Sequence, residues 1–452
     1  MGLSPISSGL LTDAYELTMA GSYLHRNMTA PAIFSLFVRQ LPPNRGFLVL
    51  AGVDEACRFL EGFGYSEGDI AHLERTLGLA PEVLEALRQL RFTGEVWSAP
   101  EGSVITSDEP LIEVTAPLPE AQLVETALLN LMTFQTTIAS KAARCRLAAG
   151  DRGLVDFSFR RTQGLESGLL VARSAVIAGF DATSNVAAAR RYDLQATGTM
   201  AHSYVQAFPR ELDAFRAFAS EYPDRSTFLV DTYDTLEGVR SAIQVMGELG
   251  LHGALAIRLD SGDLGALARG SRRLLDDAGR PEVRILASGG LDEGEIERLL
   301  AADAPIDVFG VGTKMGVSAD APYLDTVYKL VAYDGRPVMK LSTGKRTLPG
   351  AKQVFRLAGG SLTDDVVGLR DEPAPDGHAP LLRCVMRGGR RTEPSGPGET
   401  VAVARARFAD DLAHLPDRCR RLVDPEPLAA SLSPRLTRLA AEVARELSAP
   451  VR

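Results

Sequence analysis

The sequence predicts an α/β fold in which short strands and helices alternate to form an irregular, incomplete α/β barrel. Six short apolar runs in the middle of the chain are each followed by a polar or glycine-containing loop and a helical pattern. These runs are residues 154–159, 194–199, 228–230, 254–259, 283–287 and 306–309, with a doubtful further strand at 179–181. Strands that alternate with helices indicate βα units and a parallel sheet. An open doubly wound sheet is the structural alternative.

The two flanks of this region predict a second, α+β domain made from both ends of the chain. Strand-like segments occur at 32–38, 111–114, 326–332 and 337–341, and helical patterns occur near 55–63, 81–90 and 433–447. The predicted domains are therefore 1–117, the N-terminal part of the α+β domain; 118–325, the barrel; and 326–452, the C-terminal part with a terminal helix. The runs at 371–380 and 388–400 are rich in turn residues and are expected to be exposed.

Length and composition exclude several classes of protein. The chain has 452 residues, of which 45% are apolar and 24% are charged, as in globular proteins of two or three domains. No stretch reaches the roughly 18 apolar residues of a membrane span, and the N-terminus lacks the pattern of a signal peptide, so a cytoplasmic location is expected. Four widely spaced cysteines argue against a structural zinc site or a disulfide framework. A net charge of −9 argues against binding to nucleic acid.

Two glycine-containing loops follow the last two predicted strands. Ser288, Gly289 and Gly290 come directly after 283–287, and Gly312 and Thr313 come shortly after 306–309. In a parallel barrel the active site lies at the C-terminal ends of the strands, and the last two loops commonly bind a phosphate. Glycine lets the backbone approach such a ligand closely. The alternative is a pair of tight turns that need glycine for their shape alone.

Basic residues end two further strands. Arg160 and Arg161 follow the strand 154–159, and arginine presents donors that suit phosphate and carboxylate, although an exposed pair without a ligand is also common. Arg258 and Asp260 lie two residues apart near the end of 254–259, so they share one face of the strand. They form either a structural salt bridge or a site in which Arg258 binds an anion and Asp260 binds a sugar diol or Mg²⁺.

One of the six histidines occupies a position suited to chemistry. His202 follows the predicted strand 194–199 and precedes a helix, whereas the other histidines stand singly in apolar or surface patterns. A histidine at the end of a strand can act as a nucleophile or a general base. A hydrogen-bonded histidine of the core remains the alternative.

Nine segments, in order along the chain, resemble motifs of the nicotinate phosphoribosyltransferases. They are LLTDAYELTMA (10–20), DFSFRRTQG (156–164), GFDATSN (179–185), GTMAHSY (198–204), LVDTYDT (229–235), IRLDSGDL (257–264), ASGGLDE (287–293), FGVGTKM (309–315) and KLSTGKRTLPGAKQVFR (340–356). The resemblance covers most of the chain. It implies an enzyme that joins nicotinate to phosphoribosyl pyrophosphate with ATP as co-substrate and Mg²⁺ as cofactor.

The resemblance also implies roles for particular residues. His202 matches a histidine that ATP phosphorylates, and Tyr15 matches an aromatic residue that enters the site of a neighbouring subunit, which implies a head-to-tail homodimer. Phe157 would stack on the pyridine ring, while Arg160, Thr199 and Arg258 would surround the nicotinate carboxylate or nearby phosphates. Asp260 would hold the ribose, and the 5′-phosphate would be bound by Ser288, Gly289, Gly290, Gly312 and Thr313.

Some positions depart from the family pattern, and two other functions compete. Ala14 and Glu16 flank Tyr15, and Leu165, Glu166 and Ser167 follow Gly164; the family more commonly has other residues at these positions.

The nearest competing function is that of nicotinamide phosphoribosyltransferase, which places an acidic residue in the segment that matches 183–185. A neutral Ser184 therefore favours nicotinate. The competitor from another class is a non-catalytic barrel that binds a phosphorylated sugar or nucleotide, which has no reason to keep His202.

Overall fold

The computed structural model describes residues 8–342, 344–392 and 400–448. Its strands are β1 Pro31–Val38, β2 Leu48–Val49, β3 Glu95–Ser98, β4 Val104–Ile105, β5 Pro110–Pro117, β6 Gly153–Asp156, β7 Ala182–Thr183, β8 Thr227–Leu229, β9 Ala256–Leu259, β10 Arg284–Ser288, β11 Val308–Val311, β12 Thr326–Tyr333, β13 Arg336–Pro337, β14 Lys352–Leu357, β15 Val366–Leu369, β16 His378–Pro380, β17 Arg383–Arg387, β18 Arg390–Arg391 and β19 Ser431–Leu432.

The helices account for most of the remaining regular structure. They are α1 Ala14–His25, α2 Val53–Glu61, α3 Glu67–Leu77, α4 Pro81–Gln89, α5 Leu118–Leu123, α6 Glu125–Ala149, α7 Leu165–Ile177, α8 Val186–Tyr192, α9 His202–Gln206, α10 Glu211–Glu221, α11 Thr235–Glu248, α12 Leu264–Asp277, α13 Glu293–Ala301, α14 Thr313–Gly316, α15 Val401–His414, α16 Asp417–Arg420 and α17 Pro434–Ser448. Among the described residues, no helix is long and apolar enough to cross a membrane.

The chain divides into two compact units. One comprises residues 1–137 and 323–452, and the other comprises 138–322. The sequence prediction had drawn these limits at 117/118 and 325/326. The predicted exposed run at 388–400 includes residues 393–399, which lie outside the described residues.

The unit formed by the two chain ends is an α+β structure. Its largest sheet has the strand order β13-β12-β1-β5-β3-β17-β18, and a second sheet has the order β16-β14-β15-β19. β1 lies between β5 and β12, antiparallel to both. The rings of Phe34 on β1 and Tyr328 on β12 stack with centroids 4.7 Å apart, in a core that includes Leu36 and Leu128. Strands from both ends of the chain therefore share one sheet.

The central unit contains a six-stranded parallel sheet with the order β7-β6-β11-β10-β9-β8. Strands that are consecutive in sequence pair with each other, except β7 and β8, and the last strand, β11, pairs with the first, β6. A doubly wound sheet instead reverses its strand order at an internal switch point. The order found here is that of a barrel interrupted between β7 and β8, which agrees with an α/β class and an incomplete parallel barrel.

The predicted strand at 194–199 is wrong. Only Ala196 pairs there, in a single parallel bridge to Thr183. The Thr183 N–H donates to the carbonyl of Gln195, and the Thr197 N–H donates to the carbonyl of Thr183, both over 3.0 Å. Because β7 is two residues long, it offers no further backbone groups for a longer ladder. The doubtful strand predicted at 179–181 is found instead at Ala182–Thr183, which is β7.

In the central unit, side-chain caps fix the starts of four helices that follow the C-terminal ends of strands. Asp234, Asp263 and Asp292 accept hydrogen bonds of 3.0 Å from backbone N–H groups at the starts of α11, α12 and α13. Asn185 caps α8 in the same way, over 3.1 Å. Such caps contribute about 1 kcal/mol each to helix stability. The loops that precede α8, α11, α12 and α13 are therefore short and fixed at both ends.

Candidate active site

Arg258 lies at the centre of the candidate site. It is the third residue of β9, and its side chain is 13% exposed. Its Nε donates to Ser288 Oγ over 2.8 Å, its Nη1 to Thr199 Oγ1 over 2.9 Å, and its Nη2 to Asp260 Oδ1 over 2.5 Å. Three side-chain acceptors, one at the end of β10 and two in loops, hold the guanidinium plane. The structure thus brings Arg258 and Asp260, which the sequence predicts as a pair, together with Thr199 and Ser288.

The ring of Phe157 covers this guanidinium. The ring centroid lies 5.3 Å from Arg258 Cζ, a cation–π distance. The Phe157 N–H donates to the carbonyl of Val311 over 2.8 Å, which ties the loop after β6 to β11. A Cβ at Gly310 would lie 2.6 Å from the Phe157 ring, so glycine at that position leaves room for the ring. A flat apolar surface therefore lies directly beside fixed hydrogen-bond donors.

Asp260 connects Arg258 to His202. Its Oδ1 accepts from Arg258 and from Ser288 Oγ, and its Oδ2 lies 3.8 Å from His202 Nε2, too far for a hydrogen bond. Burial would raise the pKa of Asp260, but the hydrogen bond from Ser288 and the charge of Arg258 outweigh it and hold that pKa below its usual value. The carboxylate is therefore ionised at neutral pH, which suits it to stabilise a developing positive charge.

His202 is the first residue of α9 and is oriented by one hydroxyl. Its Nδ1 lies 3.2 Å from Thr232 Oγ1, at hydrogen-bonding distance. The side chain is 41% exposed, so a ligand can reach the ring. With Nδ1 directed at Thr232, Nε2 is the nitrogen available for chemistry. The alternative of a buried core histidine is excluded by this exposure.

The two glycine-containing loops differ in how strictly their backbone requires glycine. Gly289 has φ of 90°, and a Cβ there would lie 1.9 Å from the carbonyl oxygen of Asp260. Gly290 also has a positive φ, of 67°, but no heavy atom lies within 4 Å of the position of its Cβ. Gly312 has φ of −118°, outside the left-handed region, and a Cβ there would lie 3.3 Å from the carbonyl oxygen of Phe157. Thr313 beside it is exposed. The loop after β10 is therefore the more tightly specified of the two.

Gly289→Ala tests this difference. We expect a fall of about 1–3 kcal/mol in the free energy of unfolding, because both strain at positive φ and a backbone clash must be relieved. Gly290→Ala is the matched control and should lose about 1 kcal/mol, from backbone conformation alone. Urea unfolding of both variants measures the difference. Equal losses would show that the contact of Gly289 with Asp260 does not constrain the loop.

Arg160 stands apart from this cluster. The strand β6 ends at Asp156, earlier than predicted, so Arg160 lies on a 3₁₀ turn spanning Phe159–Arg161 rather than at a strand end. Its side chain is exposed, and the part of the chain that the structure describes holds no ion-pair partner for it. Tyr15, the second residue of α1, belongs to the other compact unit and is 50% exposed.

Sequence comparison places the chain among known proteins. Three family models match in order: the nicotinate phosphoribosyltransferase N-terminal domain over residues 10–133, the nicotinate phosphoribosyltransferase family over 153–356, and the corresponding C-terminal domain over 375–440. The chain is 47% identical to nicotinate phosphoribosyltransferase pncB2 of Mycobacterium tuberculosis, over 92% of this chain and 89% of that protein. The chain belongs to the nicotinate phosphoribosyltransferase family. It is also 43% identical to the Bacillus subtilis nicotinate phosphoribosyltransferase, covering 83% of this chain and 79% of that one.

Solved structures share the fold of this member of the nicotinate phosphoribosyltransferase family. A crystal structure of human nicotinic acid phosphoribosyltransferase matches with a TM-score of 0.84 and 30% identity, over 96% of this chain and 99% of that chain. A nicotinate-nucleotide pyrophosphorylase from Pyrococcus furiosus matches with a TM-score of 0.75 and 24% identity, over 92% and 98% of the two chains, which shows a common fold.

Sequence reasoning missed several residues at this phosphoribosyltransferase site. Asp231 accepts from the Asp260 N–H over 3.0 Å and from Ser261 Oγ over 2.7 Å, and Thr232 contacts His202. Asp156 is fully buried and accepts from Ser158 and Thr183, which shapes the loop that carries Phe157. The signal was available, since each aspartate ends or directly follows a buried strand within one of the nine motifs.

Proposed function

We propose that this protein joins nicotinate to phosphoribosyl pyrophosphate and couples that transfer to ATP hydrolysis through a phosphohistidine at His202. The products are nicotinate mononucleotide, pyrophosphate, ADP and phosphate, and the reaction belongs to NAD biosynthesis. The observation that carries the proposal is the position of Asp260, held by Arg258 on one side and facing His202 at 3.8 Å on the other. One carboxylate thus adjoins both the base-binding surface and the reactive histidine.

The base would bind against Phe157. Its ring offers a stacking surface for the pyridine, and the adjacent guanidinium of Arg258, held in place by the accepting hydroxyl of Thr199, is a fixed donor. Arg160, which is exposed and without an ion pair among the described residues, supplies a charge for the nicotinate carboxylate or a nearby phosphate. Tyr15 would complete this site from the partner subunit of a head-to-tail homodimer. A clamp of this kind aligns the ring nitrogen for attack on the ribose C1.

The phosphoribosyl group would lie across the ends of β9, β10 and β11. The 5′-phosphate would be bound by backbone N–H groups and hydroxyls of Ser288, Gly289, Gly290, Gly312 and Thr313. Asp260 would hold the ribose hydroxyls and, because it is ionised, stabilise the positive charge that develops on the ribose as pyrophosphate leaves. The nicotinate nitrogen then forms the new bond to C1 while the bond from C1 to the pyrophosphate oxygen breaks.

Two acidic residues suit the Mg²⁺ that the family implies. Asp231 Oδ1 and Glu211 Oε1 are buried carboxylate oxygens without a hydrogen-bond partner among the described residues. Burial, followed by the charges of Asp231 and Asp234, raises the pKa of Glu211 to about 7. Mg²⁺ usually takes one or two carboxylates together with substrate phosphates, which fits the absence of a preformed three-residue cluster in the described chain. Asp231, with Glu211 beside it, would hold the ion, which neutralises charge on pyrophosphate when bound.

His202 would accept the γ-phosphoryl group of ATP on Nε2. Its proton on Nδ1 can be donated to Thr232 Oγ1, which leaves the Nε2 lone pair directed at the ligand. Exposure of 41% admits the nucleotide. Hydrolysis of the phosphohistidine then returns the free imidazole. The cytoplasmic location expected from the sequence stays a prediction.

Base preference tests the proposed substrate. Ser184 lies between Thr183 and Asn185, and its N–H donates to the carbonyl of Asp156 over 2.9 Å. Wild-type protein should form mononucleotide from nicotinate at least about tenfold faster than from nicotinamide at equal concentration. Ser184→Asp should reduce the rate with nicotinate about tenfold or more, because carboxylate repulsion of roughly 1.4 kcal/mol already has that effect. Initial rates with each base at saturating phosphoribosyl pyrophosphate measure both expectations.

Each contrary result points to a particular alternative. Faster reaction of the wild type with nicotinamide would assign the chain to the competing substrate. A Ser184→Asp variant with an unchanged rate for nicotinate would remove Ser184 from the base site. Binding of phosphoribosyl pyrophosphate without product from either base would support the non-catalytic barrel.

A further inference from the structure

The loops after β10 and β11 are both anchored to one buried lysine. Lys141 lies on α6, and its side chain is 2% exposed. Its Nζ lies 2.5 Å from Glu293 Oε2, at the start of α13, and 2.7 Å from Asp320 Oδ1, which follows α14. All three residues belong to the central unit. One ammonium group thus joins the segments that follow the two glycine-containing loops.

The acidic residues around these loops are matched by cations. Glu293 is also bound by Arg144, whose Nε lies 2.8 Å from Glu293 Oε1, and the capping residue Asp292 accepts from Lys314 Nζ over 2.8 Å. Uncompensated carboxylates at the first turn of α13 would repel a phosphate bound at the preceding loop. The three cations offset this charge, so the loop after β10 can approach an anion.

We propose that Lys141 is a positioning residue that sets the spacing of the two loops and thereby the affinity for the 5′-phosphate of phosphoribosyl pyrophosphate. The inference rests on the proposed function, in which these loops bind that phosphate. Lys141 itself is buried and bound to two carboxylates, so it acts through the loops and not on the substrate. When Lys141 is replaced, Glu293 is still paired with Arg144, whereas Asp320 loses its ion pair with Lys141. The pair of Lys141 with Asp320 is therefore the specific link to the second loop.

Steady-state kinetics of Lys141→Met and Asp320→Asn test the proposal. For Lys141→Met, we expect the KM for phosphoribosyl pyrophosphate to rise about tenfold, equivalent to roughly 1.4 kcal/mol of binding, because both loops lose their common anchor. The KM for nicotinate should stay within about twofold, since the base binds elsewhere. Asp320→Asn leaves Lys141 paired with Glu293, so this variant should fold and should show a smaller rise of the same kind. Lys141→Arg, which keeps the charge, should restore part of the affinity.

The control is Arg240→Met, which removes an exposed ion pair with Glu237 on α11, away from both loops, and should leave every constant unchanged. A merely structural role for Lys141 would lower the folded fraction and the melting temperature but not raise one KM selectively. Folded variants whose KM for phosphoribosyl pyrophosphate stays within about twofold of the wild type would overturn the proposal, as would an equal rise in the KM for nicotinate. Absence of product from the wild type would instead overturn the proposed function.

Discussion

Replacement of His202 by alanine is expected to abolish ATP hydrolysis while phosphoribosyl pyrophosphate still binds. His202 Nε2 is the only nitrogen of that ring left free by the contact of Nδ1 with Thr232, and the proposed phosphoryl transfer has no other acceptor. Loss of a nucleophile typically lowers a rate by about 10³-fold or more. ADP release in the presence of nicotinate and phosphoribosyl pyrophosphate measures the effect. Retention of the phosphoribosyl site is measured by isothermal titration with phosphoribosyl pyrophosphate.

Thr232→Val separates the orientation of His202 from its chemistry. It removes one hydrogen bond to the ring and leaves the ring in place, so ADP release should fall only about fivefold, in line with roughly 1 kcal/mol for a hydrogen bond. A His202→Ala variant that hydrolyses ATP at the wild-type rate would contradict the phosphohistidine assignment. So would a wild-type protein that retains no acid-labile phosphate on His202 after incubation with ATP.

Arg258→Met is expected to lower kcat/KM for nicotinate about 10²- to 10³-fold, the usual loss when a fixed donor in an active site is removed. The substitution eliminates three hydrogen bonds and leaves Asp260 and Ser288 without the group that aligns them. Arg258→Lys should lose nearly as much, because an ammonium group cannot reach three acceptors in the plane of a guanidinium. Initial rates at varied nicotinate concentration measure these changes.

The matched control is Arg240→Met on α11. Arg240 pairs with Glu237 at the surface, with side-chain exposures of 52% and 68%, and exposed pairs of this kind contribute little to stability. Its kcat/KM should stay within about twofold of the wild type. An Arg258→Lys variant with wild-type kcat/KM would show that charge alone, and not the threefold hydrogen bonding, supports the reaction.

The parallel strands of the central unit could largely be predicted from the sequence. β8 to β11 lie within one or two residues of the predicted runs, because strands buried on both faces are short apolar segments bounded by glycine or aspartate. Residues 194–199, by contrast, contain only two apolar side chains, Leu194 and Ala196, and form a single bridge to β7.

The site could be predicted in part. Loop residues that follow buried strands were identifiable individually, and Arg258, Asp260, Ser288 and Thr199 do meet in one cluster. Lys141 could not be found in this way, because it lies within a long helix and its partners Glu293 and Asp320 are more than 140 residues away in sequence. A buried lysine in an apolar helix gives no signal until its carboxylate partners are located in space.

The most direct test of the proposed function is the reaction balance of the wild-type protein. Purified protein would be incubated with nicotinate, phosphoribosyl pyrophosphate, Mg²⁺ and ATP, and both nicotinate mononucleotide and ADP would be quantified over time. We expect mononucleotide formation with a matching release of ADP, and a much slower formation of mononucleotide when ATP is omitted. Mononucleotide formed at the same rate without ATP, or no mononucleotide under any condition, would contradict the proposed function.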